Sequence, residues 1–264
     1  MISHISKYAM ATAALMAMSG ATAAPISVGN TGVATANGVV TAPPAFGPQY
    51  RYVSTFNGVA GAGQIAGVGG TNGSSYTTDV FTANAGSELT FYFNFITADG
   101  TSSFPDYAWS ALLNSTGDAV VDYLFSARTV TSGNTVPGFG LPGLNATLSP
   151  STTPIIPTPP VWAQLGDSSG GCFGGPGAGC GYTGWIQATY TIASAGDYRL
   201  GFGVTNFGDF VVDTGLAFTS SAVDGAVIDP TPAIPEPATW VTLITGFGLI
   251  GAAARRRRMA RQAA

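Results

Sequence analysis

Hydrophobic and polar residues alternate through much of the chain with the period of an extended strand. Residues 87–97, SELTFYFNFIT, place Leu89, Phe91, Phe93 and Phe95 on one face and Thr90, Tyr92 and Asn94 on the other. Period two marks a strand that buries one side. Residues 197–206, DYRLGFGVTN, repeat the pattern, with Tyr198, Leu200, Phe202 and Val204 opposed to Arg199, Gly201, Gly203 and Thr205. Further strands are predicted over residues 50–56, 108–114, 120–129, 185–193, 216–219 and 223–228. No stretch joins an amphipathic helical period to an N-terminal cap. Eight or so strands with glycine-rich turns predict an all-β fold, an antiparallel two-sheet sandwich of jelly-roll type.

Residues 131–181 break the pattern. They are rich in Gly, Pro, Ser and Thr, with prolines at Pro150, Pro154, Pro157, Pro159 and Pro160, and are expected to form a long irregular insert rather than central strands. Trp162 and the glycine-rich loop between Cys172 and Cys180 are its expected anchors. In an oxidising compartment these two cysteines, the only ones in the chain, close a nine-residue loop. Loop entropy alone gives such a disulfide about 2.6 kcal/mol.

Both ends read as targeting segments. Residues 1–23 combine Lys7, an apolar stretch and the small-residue site Ala21-Thr22-Ala23, which predicts a signal peptide removed by signal peptidase. A body at 24–228 follows, then a proline-rich stalk at 229–237. Residues 238–254 are uncharged and apolar; at about 1.5 Å per residue a helix there spans about 25 Å, the short end of a membrane crossing. Arg255, Arg256, Arg257 and Arg258 then begin a basic tail, 255–264, that resists translocation and fixes the topology with the body outside the inner membrane.

The order Pro235-Glu236-Pro237, Trp240, an apolar glycine-containing helix and an arginine cluster resembles the PEP-CTERM sorting domain, in particular its PEPxxWA subclass, although Val241 stands where that subclass has Ala. The resemblance implies recognition by exosortase, a membrane protease-transpeptidase that cuts near the PEP motif, in hosts that make exopolysaccharide. A second resemblance covers residues 195–206, 213–225 and the stalk, which are similar to the closing strands of exported β-sandwich proteins related to carbohydrate-binding jelly rolls. Ala217-Phe218-Thr219 replace the Asp-Asn pair of that pattern, so no calcium or sugar residue carries over.

Charge narrows the partners. The whole chain has a formal net charge of −4, but between residues 25 and 235 only Arg51, Arg128 and Arg199 oppose twelve acidic residues. Such a surface disfavours nucleic acid and anionic lipid and suits neutral glycans or divalent cations. Asp209, Asp213 and Asp224, or Asp99 and Asp106, offer oxygen ligands for Ca²⁺, against the alternative of solvated turn residues. Trp109, Trp162 and Trp185 offer stacking faces for a glycan, against the alternative of core packing. No other cofactor is expected.

Catalytic chemistry is nearly excluded. The single histidine, His4, leaves with the signal peptide, and the body has no lysine. Triads, Cys-His dyads and Schiff bases therefore have no parts. A glycosidase pair using Glu88 and an aspartate survives in principle, with no spacing that singles it out. The expectation is a non-enzymatic protein of the cell envelope or extracellular matrix, with a carbohydrate-binding module as the alternative and a carboxylate glycoside hydrolase as the third reading.

Overall fold

The computed structural model describes residues 24–175 and 179–230; the expected signal peptide, sorting motif, membrane helix and basic tail lie outside them. The described chain is an all-β body of two curled antiparallel sheets packed as a sandwich. The seven-stranded sheet has the order Ile26–Val28, Asn72–Thr77, Gly196–Thr205, Tyr107–Asn114, Val120–Arg128, with Val59–Ala60 and Phe81–Ala83 added at its margins. The ten-stranded sheet runs Thr147–Ser149, Ile186–Thr191, Glu88–Thr97, Thr214–Phe218, Gln49–Ser54, Asn30–Thr35, with four two-residue strands beside this path.

The alternation seen in the sequence is what closes the two sheets on each other. Leu89, Phe91, Phe93 and Phe95 meet Leu200, Phe202, Val204, Leu124 and Phe125 in one buried cluster. Two stacked pairs cross the interface, Phe93 with Phe125 and Phe202 with Phe218, each with ring centroids 3.8 Å apart. Aromatic rings bury 150–250 Å² apiece, so such a core supplies most of the driving force for the sandwich.

The ten-stranded sheet is buried on its outer face as well. Tyr50, Ile96, Ala98, Ala217, Trp162 and Leu165 form a second cluster there, with Tyr52, Tyr182 and Trp185 packed on it. Trp162 and Leu165 come from the insert, at and just after the turn into a short 3-10 helix, Ala163–Ser168. The indole rests on Gly215, where a Cβ would come within 2.5 Å of the ring, so the strand must offer glycine at that position.

The insert is more regular than its composition predicts. Residues 131–181 include four strands of two or three residues, among them Thr147–Ser149 at the edge of the ten-stranded sheet. Proline is compatible with this because each piece sits at a margin or in a separate two-stranded ribbon, where a missing N–H breaks no central ladder. Cys172 and Cys180 are disulfide-bonded, with Cα atoms 5.8 Å apart.

Candidate functional site

Antiparallel registry gathers several chain crossings at one end of the sandwich. Thr97 lies opposite Thr214 in one sheet, and Tyr107 lies opposite both Arg128 and Thr205 in the other. The segments that follow or precede these residues, 98–106, 129–139 and 206–213, are therefore neighbours. A fourth joins them from the insert: Phe173 N donates to Ala98 O at 2.9 Å, Gly100 N to Phe173 O at 3.1 Å and Gly179 N to Gly100 O at 2.8 Å. The loop that the disulfide closes is thus hydrogen-bonded to this end.

Beneath the loops lies a buried polar seam. Thr97 Oγ1 is 2.7 Å from Thr214 Oγ1, which donates to Asp106 Oδ2 at 2.6 Å, while Phe207 N donates to Asp106 Oδ1 at 2.8 Å. Burial pushes the Asp106 carboxyl well above the ordinary range, and these two donors only partly oppose it. Asp99, fully buried, is pushed up to about 6 by burial against the N–H and hydroxyl of Thr101. Its Oδ2 has no hydrogen-bond partner among the described residues. Burial also raises Asp209 and Asp213; Asp213 accepts from Ser168 Oγ at 2.7 Å and from Thr55 Oγ1 at 3.2 Å. A medium of low polarity disfavours the charged form, so burial raises the proton affinity of all four of these aspartates.

Asp224 is not among them. Its Oδ1 accepts from Glu88 N at 2.8 Å, at the opposite end of the Glu88–Thr97 strand from Asp213, whose carbonyl accepts from Ala98 N at 3.1 Å. Ten extended residues separate these points by about 30 Å. The grouping of Asp209, Asp213 and Asp224 around one ion is therefore corrected: the three do not share a site. Among the described residues no three His, Cys, Asp or Glu side chains come together as metal ligands.

The tryptophans also separate. Trp162 is 0% exposed and donates from Nε1 to Tyr50 Oη at 2.9 Å, so it is a core residue and cannot stack on a glycan. Trp185 packs edge-on to Tyr50 in the same outer cluster and donates to Thr41 O at 3.1 Å. Trp109 lies on the other sheet, its ring packed against Gly203, with Nε1 donating to Gly63 O at 2.7 Å. A shared platform of Trp109, Trp162 and Trp185 is ruled out by their positions on different sheets. Among the described residues the exposed aromatics are phenylalanines of the loop end: Phe139 at 79%, Phe210 at 64% and Phe173 at 47%. Each sits beside glycine or in a turn, outside any long strand that could bury it. That isolation was the signal in the sequence.

Two cavities open among these loops. One, about 360 Å³, is bordered by Ser102, Pro105, Arg128, Thr131, Ser132 and Phe139; the other, about 330 Å³, by Asp167, Ser168, Cys172, Phe173 and Val212. Both fall at the lower end of the size of small-molecule sites. Such an end, with hydroxyls and aromatic rings around small cavities, can hold a ligand. Cys172 and Cys180, the remaining predicted site residues within the described chain, are paired; Pro235, Glu236, Pro237, Trp240 and Arg255 to Arg258 lie outside it.

These features define an all-β body with a loop-borne candidate binding end, placed just ahead of a C-terminal targeting segment. The segment is a PEP-CTERM protein-sorting motif, whose family model matches residues 233–258, and this implies exosortase-dependent export and an association with the membrane. Among solved structures, the chain is similar to the K1 cleaved adhesin domain of Lys-gingipain from Porphyromonas gingivalis W83, at 9% identity and a TM-score of 0.35, covering 75% of this chain and 89% of that one. The K3 cleaved adhesin domain of the same protein follows at 14% identity and 0.32, covering 73% and 90%. No curated protein matches the chain.

Proposed function

We propose that the protein is made with a cleaved signal peptide, held in the inner membrane by residues 238–254 with Arg255 to Arg258 inside, and processed by exosortase near Pro235-Glu236-Pro237. The jelly-roll body then passes to the cell surface or extracellular matrix, where it serves as a structural or binding protein. The observation that carries this reading is the sorting motif at residues 233–258, which follows the body directly. The route sets the compartment, and the compartment permits the Cys172–Cys180 disulfide.

A carbohydrate-binding role toward exopolysaccharide is the specific form we favour. It is supported by two exposed phenylalanines, Phe139 and Phe173, that each border a small cavity at the loop end. Asp99 and Asp106, two of the carboxyls with raised proton affinity, are sealed from solvent and so are poorly placed to act as a general acid. Calcium enters this reading as an ion that would bridge the body to an acidic ligand.

Fractionation of an exosortase-bearing host tests the sorting half. The protein is expected in the matrix fraction with its C-terminal mass removed, and a chain with Pro235, Glu236 and Pro237 all replaced by alanine is expected to stay in the membrane at precursor mass. Identical mass and location for the two chains would contradict the assignment.

A further inference from the structure

Arg128 stands apart from the other two cations of the body. Arg51 is ion-paired with Asp229 at 2.8 Å, and Arg199, 3% exposed, is spent on the carbonyls of Ser115, Ala24 and Thr78. Arg128 has no carboxylate within salt-bridge distance among the described residues. Its guanidinium is held over the Phe207 ring, 4.7 Å from the centroid, by Nε donating to Pro105 O at 3.0 Å and Nη1 to Phe139 O at 3.2 Å. These bonds use two of five N–H donors, so the outer edge of the fork keeps hydrogens without a partner among the described residues.

Arg128 is one of the residues that border the 360 Å³ cavity. Around it stand the exposed hydroxyl-bearing residues Ser102, Thr131 and Ser132, with the apolar faces of Pro105 and Phe139. A planar fork fits a carboxylate, hydroxyls fit sugar hydroxyls, and an exposed ring beside them fits the C–H face of a pyranose. We propose that this pocket binds an acidic sugar unit, a saccharide bearing one carboxylate, with Arg128 on the carboxylate and Phe139 against the ring. This deepens the glycan-binding reading and rests on it.

The acidic balance of the body does not oppose such a site. At physiological salt exposed charges are screened beyond about 8 Å, so distant carboxylates contribute little. The nearest one, Asp106, is buried and retains its proton more firmly than an ordinary carboxyl. The positive charge of Arg128 is left for a ligand.

The test uses the full-length chain in detergent, titrated by calorimetry with a hexuronic-acid tetrasaccharide and with the same tetrasaccharide after reduction of its carboxyls. The acidic form is expected to bind at least about tenfold more tightly, a preference of about 1.4 kcal/mol. Arg128→Gln is expected to abolish that preference. Phe139→Ala, at a site too exposed to affect folding, is expected to weaken the acidic ligand several-fold. Equal affinity for the two forms, or acidic binding unchanged in both variants, overturns the pocket. Binding of the reduced form that ignores both substitutions would remove this site and leave a glycan-binding body elsewhere; binding of neither saccharide nor any other glycan would remove both readings.

Discussion

Replacing Trp162 with alanine is expected to destabilise the body by about 3–5 kcal/mol, the range for deleting a fully buried aromatic. The indole is 0% exposed, lies edge-on to Tyr52 at a centroid distance of 6.2 Å, and satisfies the buried Tyr50 hydroxyl. Truncation empties the centre of the outer cluster and leaves Tyr50 without its donor. Gly215, which admits the ring, cannot fill the space. For a body of this size the loss corresponds to a fall in Tm of about 10 °C. Thermal unfolding of residues 24–230 followed by circular dichroism reads it; a change below about 1 kcal/mol would mean that the outer cluster contributes little. Because the same residue ties the insert to the sheet, proteolysis between residues 131 and 181 is expected to accelerate in parallel.

Arg51→Ala is expected to cost a similar amount, about 3–5 kcal/mol, because it strands a buried charge. Arg51 Nη2 donates to Asp229 Oδ1 at 2.9 Å, and Nε lies 2.8 Å from Asp229 Oδ2 as a close ionic contact. Tyr76 Oη donates to the same carboxylate at 2.8 Å, and the guanidinium sits 4.6 Å over the Tyr76 ring. Burial already raises the Asp229 carboxyl, and Arg51 is the main opposing influence. Without the arginine the folded-state proton affinity of Asp229 climbs further above its unfolded value. The variant should then be least impaired at acid pH, where the carboxyl is protonated in both states, and should lose stability as pH rises through its folded pKa. Urea unfolding at pH 4 and pH 7.5 checks the sign; a deficit that grows on acidification would contradict it. Arg51→Met combined with Asp229→Leu, which removes both charges, is expected to recover most of the loss. Asp229 begins the stalk, so this pair also sets where the chain leaves the sandwich toward the sorting motif.

The strands that pair across the core were legible because their partners impose strict alternation: Leu89 to Phe95 and Tyr198 to Val204 announce one buried face each. Asn72–Thr77, NGSSYT, was not legible, since its residues are those of turns. It is a strand because it lies between Gly196–Thr205 and Ile26–Val28, and Ser74 bonds across to the other sheet by donating to Ser54 O at 2.6 Å. The outer cluster escaped the sequence for a related reason. Tyr50, Ile96 and Ala217 lie on the face that alternation assigns to solvent, and only the fold of the insert shows that Trp162 covers them. Tryptophan type alone could not distinguish a buried anchor from a stacking face, whereas Phe139, Phe173 and Phe210, set among glycines and turn residues, end up exposed. Aspartates close in sequence, Asp213 and Asp224, were separated by the length of the strand that each flanks.

The measurement that reaches the central claim most directly is binding of residues 25–234, disulfide intact, to the exopolysaccharide of an exosortase-bearing host and to a panel of glycans, with and without Ca²⁺. Saturable binding to the exopolysaccharide, weakened by substitutions at the loop end and indifferent to substitutions at the Glu88 and Asp224 end, is the predicted result, and the calcium arm separates direct contact from a bridged one. An absence of saturable binding to every glycan in either condition would contradict it, leaving a surface protein whose sandwich is purely structural.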